Sequence, residues 1–517
     1  MRVILAGLNI DFETLRESRR LLEEAARWMA DEAAGQGGDT GRLAGEIHSC
    51  LERDNLTPET ISAAYARISR DPRPVDELRR LARLEVDRAR RSNERIIFGL
   101  GHASVAEHAV FNLDVLELSR LAAEFVERFR LCSYTEKSQR YVTLEGDYVV
   151  PPEIAGSAVE APFRALLARQ AETYHRFRMR LRDHLEQQHP ELATTETGRK
   201  SLDGWAKEDA RYCFSLAMQS QLGMTANARN LEHIIRQAAA HPLAEVREYG
   251  QRLAAAVTGL APSLVKYTRP GAFEQADWPE LLEHVGKSAA AASRDGRPRR
   301  TGPRSGAAVC RLIDGRRLEE RRILAGMAFE ANGGSWADCL GWAKSVSPAE
   351  GRELVARLCG RLEPYQNLPR CFEAATVTFE CIMSASCFAQ FKRHRMGTLL
   401  AQDYSPALGL TVPPSVRAAG LAAELAGLAR DGEAVWAGLR AQAPAAAAYA
   451  LTNAHRRRVF FQTNLREIVH FSRLRLDAHA QWDIRRLAGE MAGQLARRLP
   501  LFGLLLCGKD AWAARSE

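Results

Sequence analysis

The sequence predicts a mixed α/β (α+β) protein, helix-rich around a small sheet and built as two tandem copies of one domain. Three observations carry this. Stretches with apolar residues at three-to-four spacing outnumber the strand-like stretches and alternate with them. At 517 residues the chain is longer than one ordinary core serves. An arginine-rich motif also occurs twice, as RFRLCSYTEKSQRY starting at Arg128 and as RHRMGTLLAQDYSP starting at Arg393.

Taken in order, the opening MRVILAGLNID reads as a buried strand over residues 3–6 and a turn, with too short an apolar run for a leader. Residues 15–34 and 75–91 follow as amphipathic helices, then a strand over 109–115 and a short one over 148–150 before Pro151 and Pro152. Residues 162–188 and 231–256 read as further helices. The stretch KSAAAASRDGRPRRTGPRSGA, residues 287–307, loses all apolar periodicity and reads as a linker. It separates an N-terminal domain, 1–286, from a C-terminal domain, 308–517. In the latter, 375–383 and 410–412 read as strands and 484–498 as a helix.

The repeat is ordered. Arg128 maps onto Arg393 at an offset of 265, and Tyr148 with its Pro-Pro maps onto Leu410 with its own at nearly that offset. Further on, Asn227, Arg229 and His233 map onto Asn464, Arg466 and His470 at an offset of 237. One deletion between anchors reconciles the two offsets. So long a period means duplicated domains, not a solenoid.

Composition narrows the function. No apolar run approaches the ~20 residues of a membrane helix, and nothing addresses the chain elsewhere, so a cytoplasmic location is expected. The net charge of +8 rests on arginine and fits an anionic partner. The arginines are spread along helices with few aromatics between them, which favours a phosphorylated small molecule over nucleic acid. The ten cysteines form no CxxC pair and no regular framework, so they read as buried free thiols, and no metal site is expected.

Arginine is suited to bidentate phosphate recognition, and two arginines flanking a histidine make a dense donor cluster. The two motif copies are damaged in complementary ways. Phe129 stands where the second copy has His394, whereas Asp403, Ser405 and Pro406 stand where the first has Ser138, Arg140 and Tyr141. Upstream lies GHASVAEH, residues 101–108, which by itself could be a helix N-terminus capped by Ser104.

Together, GHASVAEH, the Ser119-Arg120 pair, RFRLCSYTEKSQRYV and the following Pro-Pro resemble the signature region of the flavin-dependent thymidylate synthases, the ThyX family. The segment NLREIVHFSRLRLDAHAQWD, residues 464–483, is similar to that family's other hallmark. The resemblance implies an enzyme that converts dUMP to dTMP, with methylenetetrahydrofolate as carbon donor and FAD, recharged by NADPH, as reductant. It implies no cysteine nucleophile, and the chain has no Pro-Cys-Gln-Arg.

In the family the nucleotide site lies between subunits of a tetramer, so the resemblance implies a division of labour here. From the first half, Glu136, Ser138, Arg140 and Arg211 match dUMP positions; from the second, Gln390, Arg393 and the activating Arg475. Arg475 would stabilise negative charge developing on the uracil ring. The reciprocal set is missing: Phe125 replaces the Gln, Ala238 falls near the activating Arg, and Ala448 falls where a twin of Arg211 belongs. Flavin positions are matched by Ser104, Arg393, His394, Arg395, Asn464, Arg466 and His470, and less fully by His102, Arg128, Arg130, Asn227, Arg229, His233 and His479. Arg475 and His479, four apart, are expected on one helical face. The expected assembly is a homodimer mimicking the family tetramer, with one composite site per chain. The other readings are a diverged flavin-dependent pyrimidine-nucleotide methyl- or hydroxymethyltransferase, and a pseudoenzyme on the same scaffold.

Overall fold

The computed structural model describes all residues except 34–39, 53, 141, 293–308, 315–319, 333, 361, 364 and 513–517. Most of the expected linker therefore lies outside the described residues; 287–292 close a helix, Trp278–Ala292. By packing, the chain divides into two compact units. The first comprises Met1–Leu118, Leu131–Lys137 and Gln219–Gly296; the second, Ser119–Arg130, Ser138–Met218 and Arg297–Glu517.

The first unit holds a four-stranded sheet of β1 (Arg2–Leu8), β2 (Val110–Ser119), β3 (Ser133–Glu136) and β4 (Gln219–Asn227), in the order β1-β2-β4-β3. Strand β2 alternates buried and exposed residues along most of its length, as a sheet with one solvated face requires. At its end β4 runs directly into helix Ala228–Ala239, whose N-terminus is capped by the Asn227 side chain accepting from Asn230 N at 2.9 Å.

The second unit holds β5 (Val309–Asp314), β6 (Thr376–Ser384), β7 (Thr398–Ala401) and β8 (Arg456–Asn464), in the order β5-β6-β8-β7. The order repeats that of the first sheet. Strand β6 is buried on both faces, which is why its sequence, TVTFECIMS, runs apolar without alternation. The helices that matter here are α1 (Arg120–Val126), α2 (Glu160–Gln188), α3 (Glu196–Ala210), α4 (Ala385–Phe391), α5 (Ala422–Gln442), α6 (Leu465–Arg475) and α7 (Trp482–Ala496). One core of the unit joins Tyr174, Phe177 and Leu181 of α2 to Leu202 of α3 and Leu425 and Leu428 of α5, all buried. Each such side chain contributes about 1.5–3 kcal/mol.

The duplication repeats in the hydrogen bonds. Ser119 caps α1 by accepting from Ala122 N, and Ser384 caps α4 by accepting from Cys387 N, both at 2.9 Å. Asn464 caps α6 as Asn227 caps its helix, accepting from Glu467 N at 2.9 Å. Where the repeats meet inside the second unit, Ser215 bridges Thr452 antiparallel. The flanking bonds are reciprocal: Leu216 N donates to Leu451 O at 2.9 Å, and Asn453 N donates to Phe214 O at 2.7 Å. These pairs are related by the 237-residue offset. A pseudo-twofold axis therefore passes through Ser215 and Thr452.

Several expectations change. The helix expected over 75–91 is two, Val75–Leu84 and Val86–Glu94, because Glu85 leaves helical geometry at φ −125°. That over 231–256 is also two, Ala228–Ala239 and Ala244–Val257, separated at Pro242, which can neither donate nor continue a helix. Tyr148 and Leu410 each make a single bridge instead of a strand. The middles of both arginine motifs, by contrast, are strands β3 and β7.

Candidate active site

In the second repeat, β6 ends in the Ser384 cap, α4 carries Gln390 to its last turn, and Arg393, His394 and Arg395 follow before β7. Gly397 lets this turn press on β8: a Cβ there would meet Phe461 Cε2 at 2.5 Å and Gln462 O at 2.9 Å. The first repeat makes the same path through α1 to Arg128 and Arg130. The turns clasp each other through their third arginines. Arg130 Nη2 donates to Gly397 O at 2.8 Å, and Arg395 Nη1 donates to Phe129 O at 2.6 Å.

Residues from both repeats converge within this unit. Arg140 Nε pairs with Glu208, and Arg140 Nη2 donates to His479 O at 3.1 Å. Ser138 Oγ accepts from Arg140 N at 3.2 Å. Arg211 Nε donates to Glu208 O at 3.1 Å, while its Nη2 is a buried donor without a hydrogen-bond partner. Opposite them in the repeat scheme, Arg475 Nε donates to His394 Nε2 at 3.0 Å and Nη2 to Gln390 O at 3.2 Å. Burial, then the charges of Arg393 and Arg140, lower the Arg475 pKa to about 10. The guanidinium stays charged at neutral pH, in surroundings that favour an added anion.

His394 is almost fully buried, and burial followed by the charges of Arg475, His470 and Arg393 holds its pKa well below the usual histidine value. Its neutral tautomer follows from its neighbours. Nε2 accepts from Arg475, so the proton sits on Nδ1, 3.2 Å from Glu467 Oε1. A neutral histidine thus aims a charged arginine.

Beneath these groups runs a network that sequence reasoning did not assign. Tyr212 OH donates to Asp483 Oδ2 at 3.0 Å and accepts from Gln481 Nε2 at 3.1 Å; Gln481 Oε1 accepts from Gln390 Nε2 at 3.3 Å. Trp482 stacks on Tyr212 and donates to Asp209 Oδ1 at 2.7 Å, and Ser415 donates to the same carboxylate. Burial raises the Asp209 pKa to about 7 despite these two donors. The available signal was the polar run Gln481-Trp482-Asp483 closing the second hallmark segment. His479 needs a correction: α6 ends at Arg475, so His479 lies beyond it, 94% exposed and paired with Asp477 at 2.9 Å, not on a shared helical face.

The reciprocal position is filled. Tyr404, Leu216, Ala385 and Leu451 form a buried cluster with Ala448 packed against it. Tyr404 OH donates to Glu124 Oε1 at 2.7 Å, and Arg457 closes the other carboxylate oxygen at 2.6 Å. Phe125 and Phe129 meet edge to face at 5.4 Å, with Arg128 over the Phe125 ring at 4.3 Å.

Of the flavin-type residues, Asn464, Arg466 and His470 line one pocket of about 260 Å³ with Asn367, Glu373 and Arg473. Arg466 is held there by Glu373 at 2.9 Å and Leu368 O at 2.7 Å. The remaining expected residues belong to the first unit. His102 and Ser104 line a separate pocket with Arg70 and His108, His102 Nε2 lying 3.5 Å from Arg70. Ser104 caps nothing, since the turn Ala103–His108 has His102 at its N-cap and no side-chain cap. Arg229 pairs with Glu107 at 2.5 Å, His233 Nδ1 lies 3.3 Å from Arg236, and Glu136 accepts from Ser220 at 3.1 Å. None of the nine described cysteines is in a disulfide, and seven of them are buried. No helix of the described residues is long and apolar enough to cross a membrane.

Comparisons with known proteins bear on the family of the chain. The family model for Thy1, thymidylate synthase complementing protein, matches residues 51–263 and 335–501. The flavin-dependent thymidylate synthase of Clostridium tetani is 28% identical over 235 residues, 45% of this chain and 90% of that protein. The UPF0159 protein Ta1429 of Thermoplasma acidophilum is 24% identical over 453 residues, 78% of this chain and 85% of that one, so that match spans both repeats. A solved structure, the UMP/dUMP methylase PolB of Streptomyces cacaoi bound with 5-Br dUMP, matches at 16% identity and a TM-score of 0.34. It covers 40% of this chain and 97% of that one, a likeness too weak to carry weight. With the family matched once in each half and the same strand order and caps in both, the chain belongs to the thymidylate synthase complementing family, the flavin-dependent thymidylate synthases, as an internally duplicated member.

Proposed function

We propose that this protein methylates C5 of dUMP to give dTMP at one composite nucleotide site per chain. One observation carries the reading: Arg140 and Arg211 of the first repeat gather with Arg393 and Arg475 of the second. The charges of Arg393 and Arg140 weigh on Arg475, and Arg211 keeps a buried, unused donor. A nucleotide phosphate satisfies such a cluster. Arg140, Arg211 and Ser138 bind it, and Gln390, oriented through Gln481 by Tyr212, presents its amide to the uracil edge. Arg475, fixed by His394 and the Gln390 carbonyl, stabilises negative charge arising on the pyrimidine as C5 reacts. Preorganisation is the main contribution, because both Arg475 contacts exist before substrate arrives.

The residues also fit FAD. The pocket of Asn464, Arg466 and His470, with the His394 ring 6.1 Å from that of His470, presents the cationic and amide donors that a dinucleotide's phosphates require. Arg393, His394, Arg395, Asn464, Arg466 and His470 would hold it. Bound there, the flavin supplies the reducing equivalents that convert a transferred methylene to a methyl group, with methylenetetrahydrofolate as carbon source and NADPH as reductant. Two chains pair to approximate a tetramer of repeats.

The test is dTMP formation by the purified protein given dUMP, methylenetetrahydrofolate, NADPH and FAD, alongside calorimetric titration with dUMP. Turnover with saturation near one dUMP per chain is expected. Absence of turnover overturns the activity, and saturation near two per chain overturns the composite site.

A further inference from the structure

Glu127 and Lys392 occupy the same position of the repeat, 265 residues apart, each just before its arginine motif. The alignment is fixed by structure, since α1 and α4 each run seven residues from a serine cap to that position. The two residues also touch: Lys392 Nζ lies 2.8 Å from Glu127 Oε2, with both side chains only 4% exposed. A residue in contact with its own repeat equivalent must straddle the pseudo-twofold axis. The axis marked by Ser215 and Thr452 therefore also carries a buried, oppositely charged pair.

The consequence concerns which repeats can pair. Two first repeats about such an axis would bury two carboxylates against each other, and two second repeats would bury two ammonium groups. Only a first repeat with a second cancels the charge. The backbone bonds at Ser215 and Thr452 would form in any of the three arrangements, because a ladder does not read side chains. Discrimination has to come from elsewhere. We propose that Glu127 and Lys392 form a self-recognition device, selecting pairing of unlike repeats over pairing of like ones. Buried ion pairs often add little net stability while excluding wrong partners, which is the balance required here. Arg457 with Glu124 acts in the same sense: the equivalent of Arg457 is Ser220 and that of Glu124 is Ala389, so this bond too exists only between unlike repeats.

The test uses the full chain. Ser215 is buried opposite Thr452, so the thiol of Ser215→Cys faces the same thiol of another chain only where two first repeats pair. With the native Glu127 and Lys392, mild oxidation should give no chain dimer beyond that of the parent protein on a non-reducing gel. With Glu127→Leu and Lys392→Met added, the dimer that depends on Ser215→Cys should rise about tenfold, one decade in the pairing equilibrium. Equal dimer in both backgrounds overturns the proposal. Charge reversal gives an independent readout should the apolar variant not fold. Glu127→Lys or Lys392→Glu alone should lower the melting midpoint by about 5 °C or more, and the two together should restore it. A double reversal as unstable as the single ones also overturns it.

Discussion

Arg211 and Ala448 stand at one position of the repeat and end in opposite surroundings. Arg211 is a buried cation with an unused donor, beside Arg140 and the Glu208 carbonyl. Ala448 packs against Tyr404 and Leu451 in an apolar cluster. The same contrast holds for Arg140 against Ser405, and for His394 against Phe129. One side of the axis carries charged side chains; the other is filled by aromatic and aliphatic ones. An eroded site would leave orphaned charges or a void, each costly in a core. The filled side is paired and packed: Arg457 is neutralised by Glu124, and Arg128 lies on two phenylalanine rings.

Mutations on the two sides should therefore differ widely. Arg475→Ala and Arg140→Ala should each reduce dTMP formation by about 10²–10³-fold or more, the scale of removing an electrostatic stabiliser from a preorganised site. Tritium release from labelled dUMP measures this, and activity within tenfold of the parent would erase the contrast. A smaller effect is expected at Asp209, whose counterpart on the filled side is the buried Ala446. Burial raises the Asp209 pKa from 3.8 to about 7, so the folded protein keeps this proton where the unfolded chain has lost it. Stability must then fall as pH rises from about 4 to about 7 and remain lower above that. Asp209→Asn should flatten this slope and gain on the order of 2 kcal/mol at pH 8. Urea melts across that range check it, and an unchanged slope would remove Asp209 from the account. The smallest effect belongs to Ser405→Ala. Turnover should stay within about twofold and stability within about 0.5 kcal/mol, because the bond Ser405 makes to Arg456 O is through its backbone. A large loss of turnover would mean that the second motif's tail still serves a site.

How much could be read beforehand depended on the range of the interactions. The long helices, the repeat and the complementary loss of Arg140 and His394 equivalents are local patterns, legible along the chain. Strands β3 and β7 were not, since SYTE and TLLA are too short to show a period and exist because β4 and β8 offer them an edge. Tyr212, Gln481 and Asp483 escaped because their roles arise only when residues some 270 positions apart meet. The substitutions at Phe125 and Phe129 were visible, but their edge-to-face contact beneath Arg128 was not. Nor does any sequence pattern mark that the first repeat's 138–218 shares a compact unit and a core with the second repeat.

The reciprocal backbone bonds around Ser215 and Thr452 have a further consequence. In an assembly of identical subunits, any substitution beside the axis appears twice, facing itself, and its cost is doubled at the most crowded place in the interface. In this chain the same change appears once and meets an unaltered neighbour. Positions at the centre of the pairing can then vary one at a time, each step half as large, with the second change free to answer the first. A symmetric scaffold carried on a single gene can drift into asymmetry by moves that its symmetric relatives would have to make all at once.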